Sequence, residues 1–183
     1  MAWAVWVTGL PGSGKTTVTR VMADILRAQG VHVKVLNIDD VRKVLTPQPA
    51  YSLEERAIVY AAIAYMAKLL VDEGVNVIVD ATGNLRKYRD VARTLIPDYA
   101  EIYVKCPLDL AVKREEARGG GNAPKDIYKK GTTGRSSTVP GVNVAYEPPE
   151  APIVTLDTEK LPANEAGALG ADVLLAHFGG THV

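Results

Sequence analysis

The octapeptide Gly9-Leu10-Pro11-Gly12-Ser13-Gly14-Lys15-Thr16 constrains this chain more than any other stretch. It has the form G-x-x-x-x-G-K-[ST], in which backbone N–H groups cradle phosphates, the lysine reaches the β- and γ-phosphates and the hydroxyl serves Mg²⁺. Its flanks carry the order the motif needs. Ala2-Trp3-Ala4-Val5-Trp6-Val7 is a short apolar run suited to a buried strand, and from Thr17 to Ala28 the residues Val18, Val21, Met22, Ile25 and Leu26 fall at helical spacing. Strand, loop and helix N-terminus in that order aim the loop amides and the helix dipole at one anion. Gly9, Gly12, Ser13, Gly14, Lys15 and Thr16 are therefore candidate nucleotide-binding residues. Lys15 is also a candidate catalytic residue, and Thr16 a candidate Mg²⁺ ligand.

The rest of the chain alternates strand and helix. Gly30 stops the first helix, and residues 31–37 read as a second strand that runs into Ile38-Asp39-Asp40-Val41-Arg42. Ser52-Leu53-Glu54-Glu55 has the form of a capping box, so a long helix is expected from there to about Glu73, with Ile58, Ala62, Ile63, Met66, Leu69 and Leu70 inward. Arg56 lies in its first turn, where a cation opposes the dipole, which suggests an anionic ligand. Residues 75–80 make a third strand ending in Asp80, a candidate Mg²⁺ residue of the kind that closes such strands in phosphoryl-transfer enzymes. Arg86, Lys87 and Arg89 gather at the start of the next helix. Residues 100–106 are a fourth strand, followed by a helix capped by Asp109 and carrying Arg114. Gly119-Gly120-Gly121 with the basic run from Lys125 to Lys130 has the composition of a lid over phosphates. Residues 153–156 and 162–177 complete the pattern as strand and helix. Five strands with intervening helices predict one α/β domain over residues 1–183, with a five-stranded parallel sheet flanked by helices in the three-layer P-loop nucleoside triphosphate hydrolase fold. A lid at about residues 114–138 and a substrate loop at about 139–152 complete the expected organisation.

Composition narrows the partners. Lys plus Arg equal Asp plus Glu at 21 each, so no global field draws the chain to nucleic acid. One cysteine, Cys106, excludes an internal disulfide framework and fits a reducing cytoplasm. No run approaches the roughly 20 apolar residues of a membrane span. A homodimer is left open, because it would need an exposed apolar helix face.

A phosphate loop without the N-K-x-D guanine signature, followed by a glycine-rich basic segment, favours a small-molecule kinase. Ligands of parallel sheets bind beyond the strands' carboxyl ends, which makes Asp39 the candidate base with Asp40 and Arg42 beside it. The chain resembles the adenylylsulfate kinase family in several stretches. Residues 6–17 look like that family's opening, Asp39-Asp40-Val41-Arg42 like its D-N-V-R, and residues 52–56 like its S-x-x-[DE]-R. Ile127-Tyr128-Lys129-Lys130 is similar to its L-Y-K-K, and residues 141–149 to its G-I-D-x-x-Y-E-x-P. The resemblance implies transfer of the γ-phosphate of ATP, with Mg²⁺, to the 3′-hydroxyl of adenosine 5′-phosphosulfate. It brings Pro11, Thr17 and Arg114 among the ATP contacts and assigns Asp39, Arg42, Tyr51, Arg56, Arg86, Lys129 and Lys130 to the acceptor.

The departures fall on the acceptor side. Asp80-Ala81-Thr82-Gly83-Asn84-Leu85-Arg86 stands where the family has S-F-I-S-P-[YF]-R, and Tyr51 and Val139 replace two phenylalanines around the adenine. Residues 37–42 and 79–84 also resemble the N-x-D-D-x-R and D-x-T-N stretches of polynucleotide 5′-hydroxyl kinases and of relatives acting on aminoacylated tRNA. A kinase of another hydroxyl acceptor, whether a polynucleotide 5′-hydroxyl, an aminoacyl-tRNA or a small metabolite, and a non-catalytic nucleotide-binding regulator are the alternatives. A nucleic-acid acceptor would need a basic funnel, which the balanced charge does not advertise.

Overall fold

The computed structural model describes residues 1–117 and 126–179. The elements run β1 (Ala4–Thr8), α1 (Lys15–Ala28), β2 (Val33–Asn37), α2 (Ile38–Leu45), α3 (Leu53–Asp72) and β3 (Asn76–Asp80). They continue with α4 (Arg86–Leu95), β4 (Tyr99–Lys105), α5 (Leu108–Glu116), α6 (Ile127–Thr132), β5 (Val154–Asp157) and α7 (Ala163–Phe178). The strands form one parallel sheet in the order β2-β3-β1-β4-β5, the five-stranded P-loop arrangement expected from the sequence.

Alternation along β1 decides what covers each face. Val5 and Val7 join Val18, Met22 and Leu26 of α1, Leu174 of α7, and Ile78, Ile102 and Leu156 in one core. Ala4 and Trp6 point the other way, against Val59 and Ile63 of α3 and Tyr88 and Ala92 of α4. The register then levels the strand ends, pairing Val7 with Asp80 and Asp80 with Asn37. The loop after β1 and the carboxyl ends of β2 and β3 therefore share one rim, where open α/β sheets bind ligands.

Two local expectations are corrected, and one element is added. The inward face of α3 carries Arg56, Val59, Tyr60, Ile63, Ala64 and Ala67, while Ile58, Met66 and Leu69 are exposed. α3 is apolar nearly all round, so periodicity does not fix its rotation; small Ala64 and Ala67 let it approach its neighbours closely. Asp109 lies in the first turn of α5 rather than capping it, and Pro107 precedes the helix. The acidic cluster after β2 is itself a helix, α2, capped by Asn37, whose side chain accepts the Asp39 N–H at 2.9 Å.

Other caps follow the sequence. Ser52 Oγ accepts the Glu55 N–H at 3.1 Å, a bond worth about 1 kcal/mol to a helix of this kind. The glycine run 119–121 and Lys125 lie outside the described residues. Among the described residues, no helix is long and apolar enough to cross a membrane.

Candidate functional site

A cleft of about 1180 Å³ opens at the shared rim. Its floor is the loop between β1 and α1. Gly12 has φ 77°, and a Cβ there would lie 2.2 Å from the Ala111 carbonyl oxygen, so a side chain is excluded by both conformation and space. Gly14, with φ 94°, turns the chain into α1. The loop thus backs against α5, and its residues from Pro11 to Thr17 line the cleft. Ser13 Oγ is buried with no partner among the described residues, as expected of a cradle built for an anion's oxygens. Lys15 Nζ donates to the carbonyls of Gly9 at 3.0 Å and Leu10 at 2.9 Å, which holds the ammonium over the loop.

Beside it, Asp80 is buried at the end of β3. Burial pushes its carboxyl above the usual range, and Lys15, the Thr16 hydroxyl and Asn37 pull it back. Asn37 Nδ2 donates to Asp80 Oδ2 at 2.8 Å while Asn37 Oδ1 takes the Asp39 N–H. One amide therefore fixes both carboxylate-bearing positions. The Thr16 hydroxyl, Asp80 and the phosphates of a bound nucleotide make a donor set that suits Mg²⁺, which is held by one or two carboxylates and keeps several waters.

Arg114 lines another part of the cleft. Its Nη1 donates to Thr158 Oγ1 at 3.1 Å and its Nη2 to the Thr158 carbonyl at 2.8 Å, while Thr158 Oγ1 lies 2.9 Å from the Ser13 carbonyl. Burial raises the Cys106 thiol next to it, against the pull of Arg114.

A further part of the cleft is built on arginine and tyrosine. Arg42 of α2 ion-pairs with Glu55 at 2.8 Å, and its guanidinium lies 5.0 Å from the centre of the Tyr51 ring. Arg56 of α3 donates from Nε to the Tyr51 carbonyl at 3.1 Å, from Nη1 to Asn84 Oδ1 at 3.3 Å, and from Nη2 to the Thr138 carbonyl. Tyr51 has φ 55°, a conformation that costs about 1–3 kcal/mol in a residue with a side chain. Its N–H, bonded to Glu55, and its carbonyl, bonded to Arg56, hold it there. Burial raises its phenol, with Arg42 pulling the other way and Asp39 adding to the rise.

Of the residues expected from the sequence, Pro11, Gly12, Ser13, Gly14, Lys15, Thr16, Thr17, Asp39, Arg42, Tyr51, Arg56, Asp80, Arg114 and Lys130 meet in this cleft. Gly9 contributes its carbonyl from behind the loop. Lys129 is exposed outside the cleft. Arg86 also lies outside it, paired with Glu150 at 2.7 Å and Glu147 at 3.9 Å. The segment that carries Lys130 is anchored by Tyr128, whose buried phenol donates to the Pro11 carbonyl at 2.7 Å. Sequence reasoning missed Asn37, Asn84, Thr138 and Thr158. An asparagine with an acidic pair two and three residues on is a helix-start signal that would have found Asn37; the other three carry no local signal.

Comparison with known proteins gives this cleft a family. The model of adenylylsulphate kinase matches residues 1–157. A probable adenylyl-sulfate kinase of Aeropyrum pernix is 37% identical over 85% of this chain and 82% of its own length. The adenylyl-sulfate kinase of Bacillus velezensis is 37% identical over 88% of this chain and 79% of its own. Among solved structures, the Mycobacterium tuberculosis APS kinase CysC, in complex with AMPPNP and APS, superposes with a TM-score of 0.83 at 29% identity, covering 94% of this chain and 97% of that one. The cleft thus sits in a fold and a sequence shared with phosphotransferases that act on a hydroxyl group, and the chain belongs to the adenylylsulphate kinase family.

Proposed function

We propose that this chain transfers the γ-phosphoryl group of ATP to the 3′-hydroxyl of adenosine 5′-phosphosulfate, giving 3′-phosphoadenosine 5′-phosphosulfate. The observation that carries the reading is one cleft in which the phosphate loop and Lys15 lie with two carboxylates and a clamp of two buried arginines. Gly12, Ser13, Gly14, Lys15 and Thr16 hold the ATP phosphates, and Arg114 serves the nucleotide next to Thr158. Thr16 and Asp80 would hold Mg²⁺, which would supply charge neutralisation at the transferred phosphoryl group.

Arg42 and Arg56 hold the acceptor's phosphosulfate, and Tyr51 offers an aromatic wall to its adenine. Asp39, at the start of α2, takes the proton of the acceptor hydroxyl, so that the oxygen attacks in line. Lys130, carried on α6, adds positive charge at the mouth. The segment about 114–138 serves as the lid, and residues about 139–152 as the wall of the acceptor pocket.

Asp39→Asn is expected to lower kcat by about 10²–10⁴-fold with little change in ATP affinity. Steady-state kinetics of ADP release with adenylylsulfate read this directly, and a wild-type rate would pass the base role to Asp80. Running the same assay with a 5′-hydroxyl oligonucleotide, tRNA and small alcohols checks the acceptor. A preference for the oligonucleotide, or no release with any acceptor, would overturn the reading.

The chain also self-associates in this proposal. Ile58, Tyr65, Met66 and Leu69 form an exposed apolar stripe on α3, a face that would be covered in a homodimer. Light scattering is expected to report a dimer, and Ile58→Asp with Leu69→Lys a monomer; a monomeric wild type would remove this proposal.

A further inference from the structure

The residue that replaces the family's proline at position 84 is a buried amide wired to the acceptor clamp. Asn84 is 2% exposed. Its Oδ1 accepts from Arg56 Nη1 at 3.3 Å and its Nδ2 donates to the Ala145 carbonyl at 3.0 Å, so its partners fix the amide orientation. Its backbone carbonyl accepts the Glu147 N–H at 2.7 Å. Glu147 in turn accepts the Arg86 N–H at 2.7 Å, capping α4 from a distant segment, and gives its carbonyl to Arg89 Nη2 at 2.9 Å. Tyr146 in the same segment pairs with Thr8 at 3.0 Å. Asn84 therefore joins the first turn of α3 to the segment 145–147. A proline has no side-chain donor or acceptor with which to do this.

The count of donors on Arg56 gives the link its meaning. A guanidinium has five N–H groups in a fixed fork. Three are taken by the Tyr51 carbonyl, Asn84 and the Thr138 carbonyl, which leaves one on each terminal nitrogen. Such a pair is the donor set for a bidentate contact with a phosphate or sulfate group. The neutral acceptor on Asn84 orients the guanidinium without cancelling its charge.

We propose that Asn84 is a positioning residue that aims Arg56 and preserves its full charge, and so sets how tightly the cleft holds an anionic acceptor. The proposal rests on the acceptor assignment made above for its kinetic consequence, but the aiming of Arg56 does not.

Two variants separate this role from a merely structural one. Asn84→Ala removes both side-chain bonds. Asn84→Asp keeps an acceptor for Arg56 while neutralising the guanidinium, and exchanges the donor to Ala145 for an oxygen that repels that carbonyl, a cost the new ion pair with Arg56 offsets. A structural role ranks the alanine variant as the worse of the two. The positioning role predicts the reverse for the acceptor: KM for adenylylsulfate rises about tenfold in Asn84→Ala and about a hundredfold in Asn84→Asp, with KM for ATP within about twofold of wild type in both.

Thermal melting is expected to place Asn84→Asp at or above Asn84→Ala. Equal or reversed ranking of the acceptor KM values, or an ATP KM that moves in step, would overturn the proposal. A readout that needs no acceptor is the hindered rotation of the Arg56 guanidinium, seen as separately resolved Nη–H signals that vanish in Arg56→Lys. Their retention in wild type and Asn84→Asp, with averaging in Asn84→Ala, is the expected result, and unchanged signals in Asn84→Ala would overturn the aiming role. A wild type that shows the resolved signals but does not turn over adenylylsulfate would overturn the acceptor assignment alone.

Discussion

Lys15→Ala is expected to lower kcat with adenylylsulfate by about 10³-fold or more while the protein remains folded. The side chain serves charge rather than packing: its ammonium contacts two loop carbonyls and stands beside the buried Asp80. Removing a preorganised cation aimed at developing phosphoryl charge costs a factor of this order. The substitution also leaves a trace in stability. Burial raises the Asp80 carboxyl, and Lys15 is the largest influence opposing that rise. A carboxyl with a raised folded-state pKa is favourable to folding while protonated, and that advantage is lost as pH rises through the folded value. Without Lys15 the rise is larger. The variant should therefore melt below wild type at neutral pH, and the gap should close as pH falls into the range where Asp80 is protonated in both. Melting curves across pH with parallel turnover assays check both halves. Normal turnover in the variant would remove Lys15 from the mechanism, and a gap that widens in acid would remove the coupling to Asp80.

Arg89→Leu carries the largest expected stability effect. Arg89 is fully buried; it pairs with Glu101 at 3.3 Å and donates to the carbonyls of Gly83 and Glu147. Glu101 is 3% exposed, so truncating Arg89 leaves a buried carboxylate whose remaining partners are Arg93 at 3.3 Å and the Tyr99 hydroxyl at 3.1 Å. Breaking one side of such a pair costs about 3–5 kcal/mol, because the charge that stays in a poorly polarisable interior is then offset only in part, by the half-exposed Arg93. Tyr99 reports the same environment: burial and then Glu101 hold its phenol well above the ordinary value. Urea denaturation is expected to show this loss for Arg89→Leu. Substituting Glu101→Met as well should recover much of it, since the stranded charge is then gone. Recovery should be incomplete because the Gly83 and Glu147 carbonyls still lack their donor. A single variant as stable as wild type would mean that Arg93 alone compensates Glu101.

The parts of this molecule legible in the sequence are those written locally. Buried parallel strands appear as short apolar runs, and the loop from Gly9 to Thr16 declares its conformation through glycines that nothing else could replace. Arg56 stood out because it follows a cap, in a first turn where a cation opposes the dipole, and Arg42 because it follows an acidic pair beyond the carboxyl end of a strand. The rotation of α3 was not legible, since alanines that pack closely inward and larger residues that face outward both count as apolar. The function of Glu147 was hidden for a different reason. α4 is preceded by Leu85, which has no side-chain group to cap it, and the cap arrives from 61 residues away. Likewise Asn84 reads as a turn residue until its partners at Arg56 and Ala145 are seen. Tertiary hydrogen bonds of this kind leave no periodicity behind.

The place of β1 at the middle of the sheet has a consequence for how the chain is born. β1 is made first, yet its neighbours are β3 and β4, whose residues are synthesised some 70 to 100 positions later. Until then Ala4, Val5, Trp6 and Val7, all fully buried at the end, have no strand to lie against. Sheet closure must await contacts that are distant in sequence, which are slow to form and expose apolar surface meanwhile. The loop from Gly9 to Gly14 hangs from that strand. A nascent chain therefore acquires its phosphate site late, and a ribosome-bound fragment that ends before β4 is expected to need chaperone protection rather than to bind nucleotide.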